Sequence, residues 1–462
     1  MPHLKFVEIR LRDYRCFHEL DIDFHPRLTV LVATNGAGKT SILDAIAVAL
    51  GPFIGAFDEA VGKHFEPCDI RQFRARETVT HEMEYAHQGV RLEAIGHIPG
   101  SIEDALGGDS MLSTWKRVLS SPTKAKTTIK DAKNLIDYGK SLQEKARSKE
   151  SEVLLPIIAY YGTGRLWQQK KLMERKKIQR TSRTIGYTDC LDPASSYKAF
   201  VEWFRYWNLN AKEARIRALE TNQVAAGTEF DGYIQSVSKA VNVCLEPAGW
   251  KDIEYSFTHD ALVAHHDQFG QLPVELLSDG IRNMIGMVAD IAFRATKLNG
   301  QLGAAASVLT PGIVLIDEVD MHLHPEWQQV VLQNLTRAFP AVQFIVTTHS
   351  PQVLSAVRHE SIRVLGSNTD GQVVAGKPLA RTYGEPSGDV MHSVMLVDPM
   401  PPVEEKADLQ RLTELVDQGW YEDNVAVQLM KQLVDALGAE HPQIQRLQRS
   451  IQRQKALNRA SD

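Results

Sequence analysis

Hydrophobic and polar positions along the chain follow several rhythms. Residues 3–12 and 20–33 alternate or run apolar with Val, Ile, Phe and Leu and close on Leu28-Thr29-Val30-Leu31-Val32, the pattern of strands that feed a loop. After a short glycine-bearing loop the spacing turns helical from Lys39. The helix is predicted to stop at Gly51-Pro52, since Pro brings no backbone N–H and Gly tolerates the turn. Residues 78–97 predict a β meander, and 101–150, polar and Ser/Lys-rich without a sharp period, predict helices with exposed loops. The apolar run at 154–160 predicts a buried strand that opens into Gly162-Thr163-Gly164-Arg165. Residues 195–245 are helical in pattern, with Trp203, Phe204, Tyr206 and Trp207 as packing residues.

Short strands near 253–275 lead to a helix over about 280–298, a Gly/Ala-rich connector, a strand at 313–316, a helix from about Pro325 and a strand at 342–346. That alternation predicts an α/β sheet with parallel character. Helical patterns at 403–418, 421–438 and 442–457, separated by Gly419 and by Glu440-His441-Pro442, predict a small helical appendage.

Composition narrows the class. The 462 residues are 43% hydrophobic and 24% charged, as in soluble globular proteins, and suggest roughly two or three folding units. Cys16, Cys68, Cys190 and Cys244 are widely spaced without C-x-x-C, so neither a zinc site nor a disulfide framework is expected, and a reducing cytoplasm fits. The first residues lack an apolar signal region and no stretch reaches the ~20 apolar residues of a membrane span, so no membrane association is expected. The net charge of −5 hides an uneven division: residues 111–220 hold 23 Lys+Arg against 11 Asp+Glu. A polyanion-facing surface and a solvated helical face both account for it.

Ala33-Thr34-Asn35-Gly36-Ala37-Gly38-Lys39-Thr40-Ser41 sits between a predicted strand and a predicted helix, the setting a P-loop requires. Glycines let successive N–H groups turn around phosphate oxygens and the helix N-terminus adds partial positive charge. Lys39 reaches the terminal phosphates, and the Thr40 hydroxyl can bind Mg²⁺. The departure from G-x-x-x-x-G-K-[ST] is Ala33, where the first Gly is expected. Ile313-Val314-Leu315-Ile316 then delivers Asp317 towards a magnesium shell, with Glu318 placed to orient and deprotonate a water. Standing alone, this would read as a strand ending in an acidic turn. Leu277-Ser278-Asp279-Gly280 precedes a helix, where Ser278 and the Gly280 amide can meet phosphate, or where Ser278 is an ordinary N-cap. Val346-Thr347-Thr348-His349-Ser350 closes another strand and puts His349 where it could sense a γ-phosphate.

P-loop, LSDG, LIDE and TTHS in this order resemble the ABC-type ATPases of the SMC-like and OLD-like branch. The resemblance implies ATP and Mg²⁺ as ligands and Lys39, Glu318 and His349 as catalytic groups. It implies Thr40 and Asp317 as metal ligands, Ser278 and Gly280 as the signature, and Asp320 as the D-loop position. Arg15 and Cys16 match the N-terminal segment near the nucleotide, alongside Asn35, Gly36, Ala37, Gly38 and Ser41. It further implies a head-to-tail homodimer, or a higher oligomer of dimers, in which the signature serine of one protomer completes the site of the other. The Q-loop is left open between the segment after residue 160, with Gln168 and Gln169, and Gln72.

Residues 160–167, Leu277-Ser278-Asp279-Gly280-Ile281-Arg282, residues 317–325, Tyr383-Gly384 and the helical tail look like the ATPase subunit of Septu-type antiphage defence systems, also attached to some retrons. That implies a separate HNH nuclease as partner and, in a retron, a reverse transcriptase with its multicopy single-stranded DNA (msDNA). The chain lacks the acidic strand-end constellation of a TOPRIM nuclease, so it is not expected to be a nuclease itself. It also lacks heptads for an SMC arm. His265-His266 and His322 with His324 have no spaced carboxylate or cysteine partners for a transition metal.

The basic run at 165–183 flanking Trp167 either tracks a nucleic-acid backbone or is a solvated helix. The acidic stretch 385–440 either docks a basic subunit or solubilises the tail. The expected architecture is an α/β ABC-type P-loop ATPase head with an inserted helical module and a C-terminal helical appendage. Its expected parts are an N-lobe at 1–100, a mainly helical, partly basic insertion at 101–250, a C-lobe at 251–380 and a partner-docking region at 381–462. A RecF-like DNA repair ATPase and an ATP-clamped scaffold with little turnover are the alternative functions. The His322-Leu323-His324-Pro325 turn sets the chain apart from transporter ATPases.

Overall fold

In the computed structural model, residues 3–74, 83–99, 111–123, 125–148, 153–164, 182–193, 197–221, 227–369 and 371–461 are described. They form two compact units, Met1–Met395 and Leu396–Asp462, so the division falls after the 380/381 boundary expected from the sequence.

In the first unit, β1 (Lys5–Tyr14) and β2 (Phe17–Asp23) form a hairpin, and β3 (Leu28–Val32) leads through the loop 33–38 into α1 (Lys39–Ile54). β4 (Gln72–Arg74) and β5 (Met83–Tyr85) pair only with each other, while β6 (Val90–Ile98) and β7 (Met111–Leu119) complete an antiparallel sheet of order β2-β1-β6-β7. α2 (Lys133–Arg147), β8 (Ile157–Tyr161), α3 (Tyr197–Glu220) and α4 (Glu229–Leu245) follow. β9 (Trp250–Ser256), β10 (Ala261–His266) and β11 (Gly270–Pro273) make a three-stranded sheet before α5 (Asp279–Leu298) and α6 (Ala306–Leu309). The remaining elements are β12 (Gly312–Ile316), α7 (Pro325–Gln328), α8 (Val331–Ala338), β13 (Val342–Thr347), α9 (Pro351–Ser355), β14 (Ile362–Ser367), β15 (Val373–Gly376) and α10 (Ser387–Ser393). The second unit holds α11 (Lys406–Asp417), α12 (Asn424–Leu437) and α13 (Pro442–Ser461) around Leu412, Val416, Leu433 and Ile444.

The main sheet has the order β15-β14-β3-β13-β12-β8, parallel except for β15. β8, β12 and β13 are buried along their whole length, as strands covered on both faces must be, which is why they read as unbroken apolar runs. Ile316 pairs with both Tyr161 and Val346, and Thr347 pairs with Leu31. The carboxyl ends of β3, β8, β12 and β13 therefore finish together, and in open α/β sheets ligands bind at that edge.

Two predicted elements change. Residues 111–119, expected to be helix or loop, form β7. Its inward positions are Ser113, Trp115, Arg117 and Leu119, and two polar residues in that set erase the alternation a strand would show. The segment expected to be a mainly helical insertion thus contains two strands, one of them in the main sheet. α1 also continues past Gly51-Pro52 to Ile54. Pro52 has no N–H for the Val48 carbonyl, but that oxygen accepts Arg117 Nη1 at 2.9 Å, and the Ala49 carbonyl accepts Trp115 Nε1 at 2.9 Å. β7 thus caps carbonyls near the end of α1. The aromatic residues of α3 do pack, as expected: Trp207 meets Phe293 of α5 with ring centroids 5.6 Å apart, and Trp203 meets it at 6.4 Å.

Candidate functional site

The loop after β3 turns on two glycines with left-handed backbones, Gly36 at φ 79° and Gly38 at φ 91°. Gly38 is constrained twice, because a Cβ there would stand 2.4 Å from Phe17 Cζ and 2.7 Å from Cys16 Sγ. Ala33 has no such backbone, so its methyl replaces the expected glycine without strain. Lys39 is buried and donates from Nζ to the carbonyls of Ala33 at 2.9 Å and Thr34 at 3.2 Å. Burial pushes its pKa down, against the opposing field of Asp317, Glu318 and Asp320, so the three carboxylates lie within electrostatic reach of the P-loop amine.

Asp317 joins the two halves of the site. Its Oδ2 accepts Thr40 Oγ1 at 2.7 Å, and its Oδ1 accepts Thr347 Oγ1 at 2.6 Å. Its backbone N–H donates to Tyr161 O at 2.8 Å, fixing it at the end of β8. Thr347 Oγ1 also accepts the Glu318 N–H at 2.8 Å. Glu318 is held at φ 47°, a conformation a non-glycine residue keeps only where its surroundings impose it. Two residues after Glu318, Asp320 Oδ1 accepts Thr348 Oγ1 at 2.5 Å. Thr347 is therefore a site residue that reading TTHS for its histidine alone overlooks.

The β1–β2 turn packs over the P-loop. Arg15, at φ 48°, donates from Nε to Asp69 Oδ1 at 2.7 Å and from Nη1 to Asp44 Oδ2 at 2.7 Å, with Ser41 Oγ 3.4 Å away. Lys63 Nζ reaches the other oxygen of Asp44 at 3.0 Å. Asp69 is buried and also accepts the Glu66 N–H at 2.8 Å in a capping box. Arg15, Asp44, Lys63 and Asp69 line a cavity of about 470 Å³ beside α1, with Tyr14, Glu66 and Asp192. Cys16 is exposed at its edge of the P-loop. The carboxylates Asp44 and Asp69 carry no motif, and only the fold brings them to Arg15.

Ser278 is the exposed N-cap residue of α5 and makes no side-chain capping bond. Gly280 is buried where a Cβ would come within 2.4 Å of the His322 carbonyl, so the signature turn packs on the turn that follows LIDE. His349 is half-buried at the end of β13, without a hydrogen-bond partner among the described residues. Gln72 lies in β4, outside the main sheet, and so does not follow a core strand as a Q-loop must. Gln168, Gln169, Trp167 and all of the basic run 165–183 except its last two residues lie outside the described residues. His265 and His266 sit on β10, with His266 against Trp250 and Phe269.

Residues 8–226 match the family described as "AAA domain", and residues 208–355 match that described as "AAA domain, putative AbiEii toxin, Type IV TA system". The chain is 24% identical over 423 residues to "Retron Vc95 probable ATPase" of Vibrio cholerae, covering 84% of this chain and 78% of that protein. It is 34% identical over 137 residues to "Septu protein PtuA" of Bacillus mycoides, covering 29% of this chain and 18% of that protein. Among solved structures, the SMC head domain from Thermotoga maritima aligns at 14% identity and TM-score 0.41, over 81% of this chain and all of that one. With a P-loop and an acidic strand end joined through Asp317, and with AAA-domain models matching residues 8–226 and 208–355, the chain is similar to AAA ATPases of the retron and PtuA kind.

Proposed function

We propose that the chain hydrolyses ATP with Mg²⁺, and that its nucleotide cycle controls a separate HNH nuclease in an antiphage defence assembly of Septu or retron type. The observation that carries the chemistry is the Asp317 carboxylate held between Thr40 of the P-loop and Thr347 of β13. A hydroxyl and a carboxylate oxygen at this spacing fit the hard, oxygen-only shell of Mg²⁺, which when bound would offset the charge of the phosphates. Gly36, Ala37 and Gly38 curl the backbone around phosphate, assisted by Asn35, and Lys39 swings from its own loop carbonyls to the terminal phosphates. Glu318, locked by the Thr347 hydroxyl, takes the proton of the attacking water, and His349 holds the γ-phosphate side. Arg15, tethered by Asp44 and Asp69, supports the nucleotide from the side of the β1–β2 turn, with Cys16 and Ser41 beside it.

Ser278 and Gly280 serve the site of a second protomer, with Asp320 at the seam, as the exposed and uncapped Ser278 supports. The acidic C-terminal unit, with Trp420 61% exposed and Val427 57% exposed, is the docking face for the nuclease. A reverse transcriptase and msDNA join in a retron setting. Among the described residues no helix is long and apolar enough to cross a membrane.

The test is Glu318→Gln beside Lys39→Ala in the full chain. Glu318→Gln is expected to retain ATP affinity, lower turnover by about 10²–10⁴-fold and accumulate the ATP-bound dimer, whereas Lys39→Ala loses ATP binding. Unchanged turnover in Glu318→Gln overturns the assignment of the base. Co-purification from the native operon without an HNH protein overturns the assembly.

A further inference from the structure

Charge in the second unit is unevenly divided. α11 and α12 mix charges, with Asp408, Glu414, Asp417 and Asp435 beside Lys406, Arg411 and Lys431, whereas α13 carries Arg446, Arg449, Arg453, Lys455 and Arg459 and no Asp or Glu. One side of α13 is spent on the unit's own core: Ile444, Leu447 and Ile451 turn inward, and Gln454 Nε2 donates to the Val416 carbonyl at 2.8 Å. Lys455 is engaged within the unit, 3.1 Å from Glu422 and over the Tyr421 ring. The other side has a different character. Arg446, Arg449 and Arg453 follow one another at i, i+3 and i+7, share a face and are exposed, and none forms an ion pair among the described residues.

We infer that this face of α13 binds the phosphate backbone of duplex DNA. Like charges at such spacing repel one another in the free helix, so the stripe is complementary to an external polyanion. Arginines outnumber lysine four to one on the helix, and the planar guanidinium fork suits phosphate. Glutamines 443, 445, 448 and 452 and Ser450 interleave, adding donors and acceptors without negative charge. A single helix fits the major groove of B-form DNA, whereas the deep, narrow groove of A-form RNA excludes it. The helix has no aromatic residue, so it offers no platform on which the bases of a single strand would stack. It also lacks the aromatic anchors of a protein interface. The residues of this surface belong to the second unit, whereas those of the nucleotide site belong to the first.

The experiment uses the full chain and a fluorescent DNA duplex of about 30 bp, titrated between about 50 and 200 mM salt, beside a single strand and an RNA duplex of the same length. The wild type is expected to prefer the DNA duplex, with affinity falling steeply as salt rises. Replacing all three, Arg446→Gln, Arg449→Gln and Arg453→Gln, should weaken binding at least ~10-fold at low salt. It should also reduce the slope of log affinity against log salt by roughly 2–3, since each neutralised phosphate contributes about 0.9. The triple Arg→Lys variant should keep most of the slope, and circular dichroism should show both variants folded. Equal affinity and slope in the Gln variant overturn the inference, as do preference for the single strand or absence of duplex binding by the wild type. Loss of self-association by light scattering, with DNA binding intact, would assign the face instead to a second copy.

Discussion

Thr347→Val is the sharpest test of how the acidic strand end is held. The side chains have nearly the same shape, so no cavity opens, but the hydroxyl that joins Asp317 Oδ1 at 2.6 Å and the Glu318 N–H at 2.8 Å is lost. The bond to Asp317 is charge-assisted and contributes about 1.5–3 kcal/mol, while a Glu318 N–H without its acceptor costs about 1–3 kcal/mol. The two together destabilise this corner by roughly 3–5 kcal/mol, a part of which is relieved by relaxation. Where about 2–3 kcal/mol of that is lost from positioning Asp317 and Glu318 in the transition state, turnover falls about 30–150-fold. Phosphate release gives kcat and KM, a fluorescent ATP analogue gives Kd, and a thermal melt gives Tm. The expected result is a large loss in kcat, a smaller change in Kd, a Tm lowered by several degrees, and recovery of all three in Thr347→Ser. A valine variant with the wild-type kcat and Tm would show that Thr347 does not hold these carboxylates.

Three further outcomes are expected. Gly38→Ala forces an L residue to φ 91° with its Cβ 2.4 Å from Phe17 Cζ, so a penalty of about 2–4 kcal/mol should weaken ATP at least ~30-fold by calorimetry; unchanged affinity would contradict this account of the loop. Arg117→Leu orphans the Val48 carbonyl and should cost about 2–4 kcal/mol in denaturant melts. The loss should be about 1 kcal/mol smaller in a Pro52→Ala background, where residue 52 regains an N–H for that oxygen, and strict additivity would refute the link. Burial pushes Lys297 down to about 8, with its Nζ 3.3 Å above the centre of the Trp203 ring. Between about pH 8 and the usual lysine value near 10.4 the unfolded chain then binds more protons, so stability should rise with pH across that window. Lys297→Met should remove that rise.

The parts of the site that lie next to one another in sequence were legible without coordinates. The P-loop and the LIDE strand each fit within nine residues, and their alternation with helices announces a parallel sheet. What escaped reading was built by partners far apart. Asp69 reaches Arg15 through a one-turn capping box, and Asp44 faces outward from a helix whose pattern shows only its apolar side. Residues 111–119 hid a strand because Arg117 and Ser113 point inward, and Arg117 does so to serve the very carbonyl that Pro52 leaves open, which also carried α1 beyond its predicted end. Thr347 was in view within TTHS, but its role depends on the register of β13 beside β12, which no local pattern encodes.

The hydrogen bond between Thr40 and Asp317 spans 277 residues of chain. The sheet around it draws β3 and β13 side by side although hundreds of positions separate them, a topology whose long-range closure makes folding slow. A growing polypeptide has its P-loop complete early but cannot assemble the acidic half of the site until β12 and β13 have left the ribosome. Interrupted translation products, and chains cut between the two halves and separated, therefore carry the phosphate loop without the carboxylates proposed to serve hydrolysis. On the proposed chemistry, synthesis itself becomes a safeguard: only a chain finished past Thr347 would begin to turn over nucleotide.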